Sequence, residues 1–168
     1  MRCLNLKGRS MTEQSTHQVD DYLLNEDAPP EIGSVEHAMW LAHWHMAWEN
    51  PDQLDKLAEL YHPDIEWEIP GRRVYVKGNI PRIIDNYRAI HESVELLGAH
   101  NNDRYGTADR VFDDSEASMR LISSHGFPNH PVAVGSLVDM RIIHSFHIKD
   151  GLIIREISYE LWRAPLQR

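Results

Sequence analysis

The chain has a single cysteine, Cys3, in 168 residues. One thiol excludes an intramolecular disulfide and a cysteine-built zinc site, and it suits a reducing, cytoplasmic setting. Basic residues are also scarce: 17 Lys and Arg stand against 26 Asp and Glu, for a net charge of −9. No electrostatic footprint for nucleic acid or for an anionic membrane follows from that balance. No apolar run is long enough to span a bilayer, and the apolar part of MRCLNLKGRS is too short for a signal-peptide core. GRRVYVKG is neither a P-loop nor a dinucleotide fingerprint, and HExxH and an activated-serine motif are missing. Internal repeats and low-complexity segments are absent too. What is abundant is histidine, with eleven copies.

At this length, with 42% hydrophobic and 26% charged residues, one domain with a real core is expected. Residues 1–33 are polar and end in EDAPPEIG, which reads as a mobile or surface-draped arm; the domain proper is expected over 34–168. Ser34 marks a helix start, and that helix stops at Asn50-Pro51. Asp52 is the expected cap of a short second helix, QLDKLAELY, with Tyr61 at its end. DIEWEIP alternates as a strand with Ile65, Trp67 and Ile69 on one face. After VYVKG, Pro81 opens a third helix with a stripe at Ile83, Ile84, Tyr87, Ile90 and Val94. Strands are expected from Tyr105 onward: YGTADRVF, a turn at DDS, EASMRLISS, then Val132 to Ile148 and 152–162 around the Asp150-Gly151 turn. Helices followed by an antiparallel meander mean α+β, with the helices packed on one sheet face. A strongly curved sheet wrapped on helices leaves a cone-shaped cavity suited to a small molecule.

The segments LDKLAELYHPDIEWEIP and HSFHIKDGLIIREISYE, in this order, resemble the SnoaL-like branch of the NTF2-like superfamily over roughly residues 34–162. The resemblance implies an NTF2-like cone, with an antiparallel or mixed sheet wrapped around three helices. It implies a relationship to ketosteroid isomerases, polyketide cyclases, epoxide hydrolases, and scytalone and bile-acid dehydratases. The superfamily also holds transport factors and accessory domains without chemistry, so fold alone does not assign function.

His45 falls where the isomerases and bile-acid dehydratases carry a hydrogen-bonding tyrosine. His144 falls where the isomerases carry a protonated aspartate and the cyclases an acid/base aspartate. The isomerase base falls at Ile69, a departure that argues against steroid-isomerase chemistry as such. His125 takes the place of a dehydratase aspartate. The dehydratase histidine corresponds to His100 only across a length difference. An acid that epoxide hydrolases keep on the last strand is replaced by Ser158.

The residues themselves support part of this. Parity on the long strand puts His144 with Met140, Ile142, Phe146 and Ile148, the more apolar face, and His147 on the other. A histidine on an apolar wall can move protons near neutral pH, though a core histidine bonded to a carbonyl reads the same way. His45 lies on a helical stripe with Ala38, Leu41 and Trp48. Trp48 and Trp67 are candidates to wall a pocket for an aromatic compound. Glu156, Ser158 and Glu160 share one face, and a carboxylate there would orient or charge-balance His144; either face of that strand can turn inward.

The expected catalytic set is therefore His144, His45, His125 and Tyr61. The expected pocket adds Trp48, Trp67, Ile69, Tyr87, His100, Phe146, Glu156 and Ser158. No metal or cofactor is called for, because His144 and His147 diverge and no helix carries H-x3-H. The expected activity is cofactor-independent elimination, a dehydration or retro-aldol cleavage of a small apolar oxygenated ring compound. An isomerase or cyclase of the same compounds, or a binding or accessory domain, is the alternative. The partner is a small molecule, with no nucleic acid or membrane. A broad sheet needing cover on its outer face suggests a homodimer or homotrimer.

Overall fold

The computed structural model describes residues 23 and 25–164. Helix α1 (Val35–Trp48) starts at Ser34, whose hydroxyl accepts from the His37 N–H at 3.0 Å. Helix α2 (Leu54–Glu59) begins after Gln53, without the side-chain cap expected from Asp52. Asp52 instead sits in an Asn50 turn, its N–H donating to the Asn50 side chain at 3.1 Å. Tyr61 opens strand β1 (Tyr61–Ile69) rather than ending the helix. Strand β2 (Val74–Lys77) and helix α3 (Ile80–Glu92) follow, with Pro81 in the first turn of α3.

Four long strands complete the chain: β3 (Val94–Thr107), β4 (Arg110–Leu121), β5 (Leu137–Lys149) and β6 (Leu152–Arg163). The six strands form one curved sheet in the order β2-β1-β6-β5-β4-β3. Only β1 and β6 run parallel, so the sheet is mixed. The β5–β6 hairpin turns at Asp150-Gly151, both at positive φ (52° and 79°), a conformation that glycine adopts without strain.

Three strand expectations need correction. Strand β3 starts at Val94, eleven residues before Tyr105: it is a sheet edge, where exposed polar residues such as His100–Asp103 blunt further pairing. DDS is not a turn, for β4 runs straight through it and reverses at Ala108-Asp109. Asp113 points inward there, fully buried, and takes bonds from Arg104 (2.6 Å), Asn101 (2.9 Å) and Ser115 (2.5 Å). A carboxylate with its own donors stays in a strand that composition would break. Strand β5 begins at Leu137 rather than Val132, because the Gly135 N–H bonds back to the Leu121 carbonyl and turns the chain.

The helices cover the concave face of the sheet. Leu41, Leu57, Ile65, Trp67, Ile83, Phe146 and Ile153 form the main core between the layers. The opposite sheet face carries exposed Tyr105, Phe112, Tyr159 and Leu161. Residues 25–33 lie against α1, where the Asn25 carbonyl accepts from Trp40 Nε1 at 3.0 Å. The expected arm over 1–22 lies outside the described residues. Among the described residues no helix is long and apolar enough to cross a membrane.

Candidate active site

Register places the inward side chains of the sheet in rungs. One rung holds Val111, Phe146 and Glu156, with Trp67 beside Glu156 on β1. The next holds Asp113, His144 and Ser158, and the one after that Ser115, Ile142 and Glu160. The inward face of β6 is thus the one bearing Glu156, Ser158 and Glu160.

The Glu156 rung is sealed. Oε2 of Glu156 is 2.9 Å from His45 Nε2 and accepts from the Tyr61 hydroxyl at 2.7 Å. Oε1 accepts from the Tyr87 hydroxyl at 2.7 Å and from Ser158 Oγ at 3.4 Å. Trp67 Nε1 in turn donates to the Tyr87 oxygen at 3.2 Å. Burial opposes the Glu156 charge, but His45 and the surrounding donors outweigh it and hold the carboxyl well below its ordinary range. Burial likewise opposes the His45 imidazolium, and Glu156 overcomes it and raises the pKa. The pair is a buried imidazolium–carboxylate, and the tyrosines keep their protons, burial raising both far above the usual phenol value.

The His144 rung opens on a cavity of about 170 Å³. Its wall is mostly apolar: Trp67, Ile69, Met119, Met140, Ile142 and Phe127 all contribute. His144 is 3% exposed, stacks on Phe146 at 5.6 Å between ring centres, and has no hydrogen-bond partner among the described residues. Burial, reinforced by the nearby His45 charge and only partly offset by Glu156, lowers its pKa to about 4. It is a neutral imidazole with its lone pair unspent.

Glu49, at the end of α1, also faces the cavity. Its carboxyl has no hydrogen-bond partner among the described residues, and Oε2 is enclosed. Burial raises its pKa to about 7 against the pull of His45. A second polar pair is Arg72 with Glu160, at 2.7 Å and almost fully buried. The Arg72 guanidinium is further fixed by the Gly126 carbonyl (2.6 Å) and by the Phe127 ring 4.7 Å away. Gly126 itself sits against α3, where an added Cβ would come within 2.2 Å of the Ala89 carbonyl oxygen.

The SnoaL-like domain model matches residues 41–156. The chain belongs to the SnoaL-like family. An NTF2-like protein from Burkholderia xenovorans LB400 superposes on this SnoaL-like domain with a TM-score of 0.61 at 14% identity, over 76% of this chain and 92% of that one. A Bacillus subtilis protein provisionally assigned as an isomerase gives 0.59 at 19%, over 75% and 87%. An LEH-like epoxide hydrolase from M. tuberculosis gives 0.55 at 16%, over 76% and 84%. At these identities the likenesses establish the NTF2-like cone and not an activity. No curated protein matches the chain by sequence.

Of the residues expected from sequence, the SnoaL-like fold brings His144, Trp67, Ile69, Tyr87 and Ser158 to the cavity wall. His45, Tyr61, Phe146 and Glu156 lie behind it, within the sealed rung or packed on it. Trp48, the last residue of α1, is buried but does not face the cavity, packing against Trp40 and Trp44. His125 is exposed on its loop and off the cavity wall. His100 is exposed on edge strand β3, 3.7 Å from Glu116, because the strand begins before it and alternation turns it outward. Among the described residues no three His, Cys, Asp or Glu groups cluster as metal ligands.

Sequence reasoning missed Glu49 and Arg72. Glu49 carried a signal: it follows His45 by four residues, so it shares that helix face, and an acid at a helix C-terminus opposes the macrodipole. Arg72 carried none beyond its type, since only the fold brings it to Glu160, 88 residues away.

Proposed function

We propose that this SnoaL-like domain is a cofactor-independent lyase acting on a small, mostly apolar, oxygenated ring compound by dehydration or retro-aldol cleavage. The observation that carries the reading is the pairing of two unpartnered proton-transfer groups on one apolar wall, a neutral His144 and a Glu49 poised near neutral pH. In the dehydration, His144 takes a proton from carbon next to a carbonyl. Glu49 gives its proton to the departing hydroxyl, so the C–H and C–O bonds break, a C=C bond forms and water leaves. The two end with their protonation states exchanged, and solvent resets them.

His45 and Glu156 do not meet the substrate in this scheme. Their fixed charges stand behind His144, with ring centres of His45 and His144 5.9 Å apart, and add opposing contributions to a proton affinity that burial lowers. Tyr61 and Tyr87 hold Glu156 in place through their hydroxyls. Ile69 on the wall offers no base at the isomerase position, which favours elimination over double-bond migration. A cytoplasmic setting accompanies this reading, supported by the lone cysteine. Self-association through the outer sheet face is supported by its exposed Tyr105, Phe112, Tyr159 and Leu161; light scattering on the purified chain measures it.

The test is a panel of cyclic β-hydroxy ketones incubated with the wild type, His144→Gln and Glu49→Gln, with products followed by mass spectrometry. Loss of water or of an aldehyde by the wild type, cut by roughly 100-fold or more in each variant, is the expected result. Undiminished turnover in both variants sinks the assignment.

A further inference from the structure

The cavity reports more about its ligand than its polarity. An apolar cavity of roughly 150 Å³ holds one benzene ring, and this one measures about 170 Å³. One six-membered ring with small substituents fills it, whereas a fused multi-ring skeleton would stand largely outside. Met46, Met119 and Met140 on the wall are flexible enough to follow a planar or a puckered ring.

Formal charge on the wall is matched except at Glu49, whose carboxyl has no partner among the described residues and would itself repel an anion. Arg72 is neutralised by Glu160 at 2.7 Å, and Glu116 is held by Arg163 at 2.7 Å. His144 and His91 are both driven toward their neutral forms by burial. An anionic ligand therefore finds no unpaired cation among the described wall residues and would be desolvated without compensation. The polar groups also sit at two levels. His144 and Ser158 share one rung and Glu160, with Arg72 on it, lies on the next inward rung of β6. Two residues along a strand separate the rungs by about 7 Å, comparable with the separation of two oxygens on opposite sides of a six-membered ring.

We infer that the cavity takes a neutral, single-ring compound bearing oxygen functions on opposite sides of the ring, one met by His144 and Ser158 and the other by the Arg72–Glu160 pair. This rests on the cavity being the reaction site and names its substrate class.

Calorimetric titration of the full chain with four probes tests it without requiring turnover. Hydroquinone has two opposed oxygens on a neutral ring, phenol has one, para-hydroxybenzoate carries a carboxylate, and testosterone has four fused rings. Hydroquinone is expected to bind at least about tenfold more tightly than each of the others. In Glu160→Gln, which frees the Arg72 charge, the gap between hydroquinone and para-hydroxybenzoate should narrow by about tenfold or more. Ala117→Phe, which fills the cavity, should abolish hydroquinone binding while an unchanged melting curve reports intact folding. Equal or tighter binding of testosterone, para-hydroxybenzoate or phenol to the wild type overturns the inference, as does hydroquinone binding that survives in a folded Ala117→Phe. The two readings fail separately. Tight hydroquinone binding with no turnover of any ring compound removes the lyase assignment alone, and efficient dehydration of a tightly bound multi-ring ketone removes the specificity alone.

Discussion

Glu156 is fully buried and Glu49 half-buried with one carboxyl oxygen enclosed, and the protein treats the two glutamates in opposite ways. Glu156 meets three hydroxyl donors and an imidazolium, so its charge is retained and its pKa is depressed. Glu49 meets none on its carboxyl among the described residues, so burial prevails and its pKa rises to about 7. The shifts of His45 and His144 also differ in sign, raised where Nε2 meets the Glu156 carboxylate, although Nδ1 has no partner among the described residues, and lowered on the cavity wall. A polar group in a dry interior is inert when its partners are complete and reactive when they are withheld. The sealed rung fixes charge; the cavity wall leaves His144 and Glu49 without hydrogen-bond partners among the described residues.

The largest expected effect comes from breaking the sealed rung. Glu156→Gln leaves His45 buried without its counter-charge and should cost about 3–5 kcal/mol of stability, measured by chemical denaturation. His144→Gln is the counterpart in the open rung. It should lower turnover by roughly 100-fold or more while changing the denaturation midpoint little, since His144 has no hydrogen bond to lose. A stability loss in His144→Gln as large as that of Glu156→Gln would erase the distinction.

Acidity sharpens the comparison. The stability contributed by the depressed Glu156 and by the lowered His144 is present above their ordinary values, 4.5 and 6.5, and is lost as pH falls through their folded values. Glu49 has the opposite sign: its contribution is present below 4.5 and is lost as pH rises through about 7. Denaturation curves should show a decline above pH 4.5 in the wild type that is reduced in Glu49→Gln; what remains above pH 6.5 belongs to His45, whose pKa is also raised. Turnover should rise as His144 loses its proton near pH 4 and fall as Glu49 loses its own near pH 7. An unchanged upper limb in Glu49→Gln would reassign the acid. Tyr61→Phe, which removes one of the three hydroxyl donors to Glu156, should cost about 1.5–3 kcal/mol. The smallest change is expected from Ser158→Ala, about 0.5 kcal/mol, because its bond to Glu156 is long at 3.4 Å.

The fold was legible wherever a period was uninterrupted. Ser34 with the stripe behind it defined α1, alternation through Ile65, Trp67 and Ile69 defined β1, and Asp150-Gly151 defined the last hairpin. Local composition misled where tertiary partners overrode it. Asp113 looked like a turn residue until Arg104, Asn101 and Ser115 were brought to it, and His100–Asp103 fell ahead of the strand expected from Tyr105 although an edge strand tolerates them. His144 was legible because alternation places it among apolar neighbours. Tyr61 and Glu156 were legible as polar groups near the site, but not as partners of each other, 95 residues apart.

By itself the sequence determined which side chains share a face, because the periods of helix and strand are local properties of the backbone. It thereby set His144 with Met140 and Phe146, Glu156 with Ser158 and Glu160, and His45 with Leu41. Only the tertiary structure decided which groups are satisfied and which are left open, since a buried group's proton affinity depends on neighbours from distant segments. Glu156 received His45, Tyr61 and Tyr87 from three other elements and became a fixed charge. Glu49 received no such partners on its carboxyl, and burial raises its pKa to about 7.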